Sequence, residues 1–146
     1  MHKFSIFLTL ILLGITTLSC GKYSSGLQQS SSRADETSAI ATLRTIAQAE
    51  MTYSITNPGH YASFAQLVEA GLLDSRFNHS SPEYHGYVFT LSTDPSDLDP
   101  GSYSCNADPA VTSPHGGRHF YINSTSQDVR VNPTRPATKK DELLRP

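Results

Sequence analysis

The fold is decided by the stretch DETSAIATLRTIAQAEMTY, residues 35–53 of a 146-residue chain. At about 100° per residue, its apolar side chains recur on one side of a helix. The residues expected on that side are Ile40, Leu43, Ala47, Met51 and Ser54, with Ile46 and Tyr53 beside them. This spacing predicts an amphipathic helix that has Asp35 as its N-cap and ends at the sequence Asn57-Pro58-Gly59.

Downstream of this helix, the hydrophobic pattern changes from helical to extended. Apolar residues at helical spacing predict a short second helix over residues 63–72. Aromatic and β-branched segments then predict four strands, at residues 86–91, 102–107, 118–123 and 128–132. Because short loops join successive strands, an antiparallel meander is favoured. The predicted fold class is therefore α+β, with a long N-terminal amphipathic helix packed on a small antiparallel sheet of about four strands.

The N-terminus has the form of an export signal. A positive start at Lys3 is followed by an apolar run over residues 4–15, which is shorter than the ~20 residues that a membrane span needs. The sequence Leu18-Ser19-Cys20-Gly21 then resembles a bacterial lipobox, in which the cysteine becomes the lipidated N-terminus. An ordinary signal peptide with a cysteine near its cleavage site is the alternative. Both interpretations predict export.

These features predict four segments. Residues 1–19 form a lipoprotein signal peptide, and residues 20–34 combine the lipidated Cys20 with a flexible Ser/Gln-rich linker. Residues 35–138 form the globular domain, and residues 139–146 a polar tail. If Cys20 carries lipid, Cys105 has no partner in the chain, because the sequence holds only these two cysteines.

The charge pattern excludes one class of partner. The formal net charge is -2, and no basic cluster occurs. Nucleic-acid binding depends on many contacts between basic side chains and phosphates. We therefore predict no nucleic-acid partner.

Two groups of residues suggest metal sites. Asp94, Asp97 and Asp99 lie in one loop and could offer oxygen ligands to Ca²⁺, although their spacing is not that of an EF-hand. A solvated acidic turn is the alternative. His115 and His119 are four residues apart, but two glycines between them exclude the helical zinc arrangement.

Signals for catalysis are missing from the sequence. It has no Gly-x-Ser-x-Gly elbow and no Gly-rich phosphate loop, and Cys105 lacks a basic residue nearby that would activate its thiol. We therefore predict that the protein is not an enzyme and has no cofactor apart from a calcium ion at the three aspartates.

The order of segments resembles the globular domain of bacterial type IV pilin-like proteins, including the pseudopilins of type II secretion. The resemblance covers roughly residues 35–138 and is carried by residues 36–46, Tyr53, 59–67, 72–74, 86–89, 107–109, 117–121 and 129–130. It implies a pilin-like fold, and in some pseudopilins a loop of the sheet region binds calcium. The chain departs from the family because it lacks the prepilin-peptidase site and the long hydrophobic helix. Incorporation into a filament by the usual mode is therefore not implied.

Together, these features predict a membrane-anchored lipoprotein. Its domain would lie in the periplasm or outside the cell, as a structural or interaction component of the envelope or of a secretion- or pilus-related assembly. Its partners would be the membrane, through the lipid, and envelope or secretion-system proteins. One alternative is an exported calcium- or glycan-binding module, with its site formed by the loop at 93–101 and by Tyr84, Tyr87 and Tyr103. Another is a soluble secreted protein with an ordinary signal peptide.

Overall fold

One long helix packs against an antiparallel sheet in a computed structural model that describes residues 20–94, 101–111 and 117–145, with side chains from Ser30 onward. Helix α1 spans Cys20–Thr56, and the short helix α2 spans Phe64–Glu69. A single 3₁₀ turn, Ser75–Phe77, leads from α2 towards the sheet. None of the helices in these three ranges is long and apolar enough to cross a membrane.

Within the described ranges the sheet has six strands, so the prediction of about four strands is wrong. The strands follow one another in chain order, and every neighbouring pair is antiparallel. They are β1 (Glu83–Tyr84), β2 (Tyr87–Asp94), β3 (Ser102–Pro109), β4 (His119–Asn123), β5 (Arg130–Asn132) and β6 (Glu142–Leu143). The overall architecture is α+β.

The two additional strands, β1 and β6, contain two residues each, which is too short for an alternating pattern to appear in the sequence. A tight turn at His85 and Gly86 produces β1, and both residues have positive φ, at 49° and 71°. Strand β6 belongs to the predicted polar tail. It pairs with β5 through long-range contacts, which no pattern in the neighbouring sequence predicts.

Helix α1 begins at Cys20 and not at the predicted N-cap, Asp35. Residues 20–34, for which the sequence predicts a flexible linker, are helical. Serine and glutamine cost less than about 0.7 kcal/mol each in a helix relative to alanine, so a helix nucleated by packing further along can extend through them. The hydroxyls of Thr37 and Ser38 donate to the carbonyls of Arg33 and Ala34 at 2.8 and 3.0 Å, so they join the helix instead of capping it.

The buried side of α1 is turned relative to the prediction. Ala39, Leu43, Ile46 and Glu50 are all 0% exposed, whereas Met51, predicted to be in the core, is 36% exposed. The true stripe therefore runs through the charged residue Glu50. Glu50 is absent from the predicted side, and buried carboxylates are rare.

The core lies between α1 and the facing side of the sheet. The sheet side chains that fill it alternate along β2, β3 and β4, and they are Tyr87, Phe89, Tyr103, Cys105, Ala107, Phe120 and Ile122. Helix α2 and the 3₁₀ turn cover one end with Phe64, Leu67 and Phe77. The capping box between Ser63 and Gln66 fixes the start of α2, which is shorter than predicted.

An ion pair with additional hydrogen bonds connects α1 to the start of β4. Glu36 accepts hydrogen bonds from the Arg118 guanidinium at 2.8 and 3.1 Å and from the Arg118 backbone N–H at 3.0 Å. The Tyr87 hydroxyl donates to the Arg118 carbonyl at 3.0 Å. A residue larger than glycine at position 117 would force a shift here, since its Cβ would lie 2.2 Å from the Tyr87 hydroxyl oxygen.

The C-terminal residues are held against the sheet through Asp141. Its carboxylate accepts hydrogen bonds from the Asn132 side chain, the Thr138 backbone N–H and Arg135, each at 2.8 Å. These bonds, the one from Asn132 first, lower the pKa of Asp141 below its usual value. Further along the sheet, the Asn106 amide donates to the Ala137 carbonyl at 2.8 Å. The segment therefore crosses the sheet on the side away from α1.

Candidate functional site

The face of the sheet opposite α1 is polar, and we refer to it as the open face. This face is formed by alternation along the strands, because every second residue of β2, β3 and β4 points away from the core. Ser92 pairs with Ser104, and Ser104 with Asn123, so the three side chains form one row across the strands. Thr90, Asn106 and Tyr121 form the next row.

A groove with a volume of about 240 Å³ lies at one end of the open face. Eleven residues line it: Ser92, Thr93, Asp94, Ser102, Tyr103, Ser104, Tyr121, Asn123, Ser124, Thr125 and Lys139. The strands supply its floor, and the turn after β4 supplies one wall. Lys139 comes from the C-terminal segment that Asp141 holds in place.

Hydrogen bonds within the groove wall hold its shape. The Ser124 N–H donates to the Tyr103 carbonyl at 3.1 Å, and the Tyr103 N–H donates to the Ser124 hydroxyl at 3.4 Å. The Asn123 side-chain oxygen accepts from the Ser126 N–H at 3.0 Å, while its amide nitrogen donates to the Tyr121 hydroxyl at 3.4 Å. The turn is thereby pinned to β3, so the groove is formed before any ligand arrives.

The described lining of this groove consists largely of groups that form hydrogen bonds. Serine, threonine and tyrosine hydroxyls both donate and accept hydrogen bonds, and Asn123 offers one group of each kind. Asp94 adds an acceptor and Lys139 a donor, whose charges cancel. Tyr121 also brings an aromatic ring, and its side chain is half-buried.

Only one of the predicted calcium ligands lies in the described ranges. Asp94 is the last residue of β2, is exposed and lines the groove. Asp97 and Asp99 lie outside the described residues. Over residues 20–94, 101–111 and 117–145, no three His, Cys, Asp or Glu side chains gather in a group that could hold a metal ion.

Two other predicted positions have clear placements. Cys20 is the first residue of α1, and its side chain is outside the described part. His119 lies on the open face, where its Nδ1 is 2.6 Å from the carboxylate of Asp108. His115 lies outside the described residues. Lipidation at Cys20 and calcium binding stay predictions.

The tyrosine site suggested as an alternative is not brought together. Tyr87 and Tyr103 are 1% and 3% exposed and point into the core, because odd positions of β2 and β3 face α1. Tyr84 lies elsewhere, with the Arg76 guanidinium 4.6 Å from the centre of its ring. Tyr84 therefore lies apart from Tyr87 and Tyr103, of which only Tyr103 lines the groove; residues 95–100 of the loop lie outside the described residues.

A buried carboxyl group lies on the other side of the sheet. Glu50 Oε2 accepts a hydrogen bond from the Ala62 N–H at 2.9 Å, whereas Oε1 has no partner among the described residues. The Tyr103 hydroxyl is also buried without a described partner. Burial raises the pKa of Glu50 to about 7, and the bond from Ala62 offsets only part of this.

Cys105 is a free, fully buried thiol on β3, as predicted for a lone cysteine on a strand. Burial, and then the neighbouring Glu50 and Asp108, raise the pKa of this thiol. The reactive form of cysteine is the thiolate, so Cys105 is held in its unreactive form. Its role in the structure is to pack.

Sequence analysis missed most of the groove and all of the Glu50 site. The alternation of polar and apolar residues over residues 87–94 and 102–108 was a usable signal for the open face. It did not mark the groove, because Lys139 reaches the sheet only through the folding of the C-terminal segment.

Comparisons with protein-family models, with curated proteins and with solved structures find no match for this chain. The functional interpretation therefore rests on the geometry and on the N-terminal sequence.

Proposed function

We propose that this chain is an exported, lipid-anchored interaction component of the cell envelope, which binds its partner through the groove on the open face. The observation that carries the proposal is this groove. It is preformed and lined by groups that donate and accept hydrogen bonds, and it lies on the side of the sheet that α1 leaves free. The lipobox-like sequence that ends at Cys20 supports anchoring.

The length of α1 supports display away from a membrane. Between Cys20 and Glu36, which is bonded to Arg118, the helix rises about 24 Å at ~1.5 Å per residue. A lipid on Cys20 would therefore hold the sheet at a distance from the bilayer. The groove would then be accessible to another component of the envelope, including one of a secretion-related assembly.

Detergent phase partitioning tests the anchor. Cys20→Ala should move the protein from the detergent phase to the aqueous phase, because several acyl chains contribute ~0.8 kcal/mol for each buried CH₂. Cys105→Ala is the matched control, since it removes the other cysteine and should leave partitioning unchanged. A Cys20→Ala protein that stays in the detergent phase would contradict lipid anchoring.

Photocrosslinking in intact cells tests the surface. A photoreactive residue at Ser92, in the groove, should give a discrete adduct. The same residue at Gln48, on the exposed side of α1, should not. Equal adducts at both positions, or none at Ser92, would contradict binding through the groove.

A further inference from the structure

We propose that the ligand of the open-face groove is a neutral saccharide. This inference rests on the proposed function, since it names the chemical class of partner for the same groove.

The lining groups match a polyol. Sugar hydroxyls both donate and accept hydrogen bonds, and the hydroxyls of Ser92, Ser102 and Ser104 do the same. A carboxylate can accept bonds from two adjacent hydroxyls, and Asp94 stands exposed at the groove end. Asn123 provides an amide in the same row as Ser92 and Ser104.

Charge argues against an anionic ligand. Among the described residues, the groove lining has one carboxylate, Asp94, and one ammonium group, Lys139, so this part of the lining has no net charge. A phosphate or a sulfate would meet the carboxylate at the groove end. A neutral ligand instead uses both groups as hydrogen-bond partners.

The form of the groove argues against a peptide. The groove lies over the face of β2, β3 and β4, and β3 at its centre is paired on both sides. An extended peptide that adds to a sheet needs an unpaired strand edge, and a helical peptide needs an apolar groove. The lining is instead rich in hydroxyls, with Tyr121 among its aromatic residues. The volume of about 240 Å³ suits a single sugar ring with its hydroxyls.

Binding can be measured with the full mature protein in a detergent that has no sugar head group. The probes are polyacrylamide beads that carry maltotriose or chitotriose, with bare beads and triglycine beads as comparisons. The protein should be retained on beads of at least one oligosaccharide and released by the same free sugar. It should pass the bare and the triglycine beads without delay.

Two variants connect retention with the groove. Ser92→Leu fills the groove and should weaken retention at least tenfold, whereas Thr90→Leu, two residues away on the same face but outside the groove lining, should leave it unchanged. Asp94→Ala only removes atoms from an exposed side chain, and loss of its hydrogen bonds should weaken retention roughly 2- to 12-fold. Far-UV circular dichroism checks that each variant folds.

Three results would overturn the saccharide inference. They are no retention on either oligosaccharide, retention on the triglycine beads alone, and equal retention of the Ser92→Leu and Thr90→Leu proteins. A crosslink from Ser92 to an envelope protein, without any sugar retention, also overturns it while leaving the proposed binding function intact.

Discussion

Replacing Glu50 by glutamine should stabilise the protein at alkaline pH and change little at acidic pH. Glu50 is 0% exposed, and Ala62 is the one described residue that donates a hydrogen bond to its carboxyl group, so the charged form is poorly solvated. Glutamine has nearly the same shape, carries no charge and keeps an oxygen to accept the Ala62 bond. The substitution therefore removes the titration and retains the packing.

The size of the effect follows from the pKa of Glu50, which burial raises from 4.5 to about 7. At 1.36 kcal/mol per pKa unit, this difference corresponds to about 3 kcal/mol. Because the folded state holds the proton more tightly than the unfolded chain, the stabilisation is fully present below pH 4.5 and is lost as pH rises through 7. Above pH 7, the native protein folds with a buried charge that Glu50→Gln lacks.

Urea unfolding at pH 5 and pH 8 tests this expectation, with far-UV circular dichroism as the signal because the chain has no tryptophan. At pH 8 the midpoint of Glu50→Gln should exceed that of the native protein by about 1 to 3 M, for a slope of ~1–3 kcal/mol per M. At pH 5 the gap should be much smaller. Glu69→Gln, at an exposed position on α2, is the control and should show no such pH-dependent gap. A gap of the same size at both pH values would refute the argument.

Three other substitutions test the core, a close contact and the C-terminal segment. Leu43→Ala should lower the free energy of unfolding in urea by about 2–5 kcal/mol. Met51→Ala, on the partly exposed side of α1, should cost much less. Equal losses would contradict the orientation of the helix. Gly117→Ala should cost about 1–3 kcal/mol because its Cβ would meet the Tyr87 hydroxyl, and Tyr87→Phe in the same chain should recover part of the loss. If Tyr87→Phe only adds a further loss, the contact is not the cause. Asp141→Ala should speed hydrogen exchange of the β6 amides while leaving β3 protected, and unchanged exchange in β6 would contradict the anchoring role of this carboxylate.

Local patterns predicted the elements that local interactions determine. Leu43 was placed correctly in the core, since helical spacing and hydrophobicity agree there. Glu50 was not, because its burial depends on the loop at Ala62 and on the strand that carries Tyr103. The helix start was misplaced for a related reason, since packing further along α1 carries the helix through a polar segment that has little helical tendency by itself.

The sheet shows the same division between local and long-range information. Strands β2, β3 and β4 alternate clearly, whereas β6 exists because Asp141 binds Asn132 and brings Leu143 beside Arg130. The groove depends on that long-range arrangement, since Lys139 lines it from the same segment. Its polar floor looks in the sequence like any solvated sheet face, and the turn after β4 and the C-terminal segment add lining residues that the strand pattern does not mark.

The continuity of α1 changes how strongly an anchored copy could bind. A flexible tether of this length would let the domain adopt many orientations over the membrane, and that freedom would have to be given up whenever a partner bound. A helix that runs from Cys20 into the core would remove part of this entropy loss in advance, because a helical tether allows fewer orientations than a coil. For a partner held in the same membrane, or in a fixed layer next to it, stiffness raises the local concentration of correctly oriented grooves. A groove with low intrinsic affinity could then bind its partner well at the membrane and poorly in free solution.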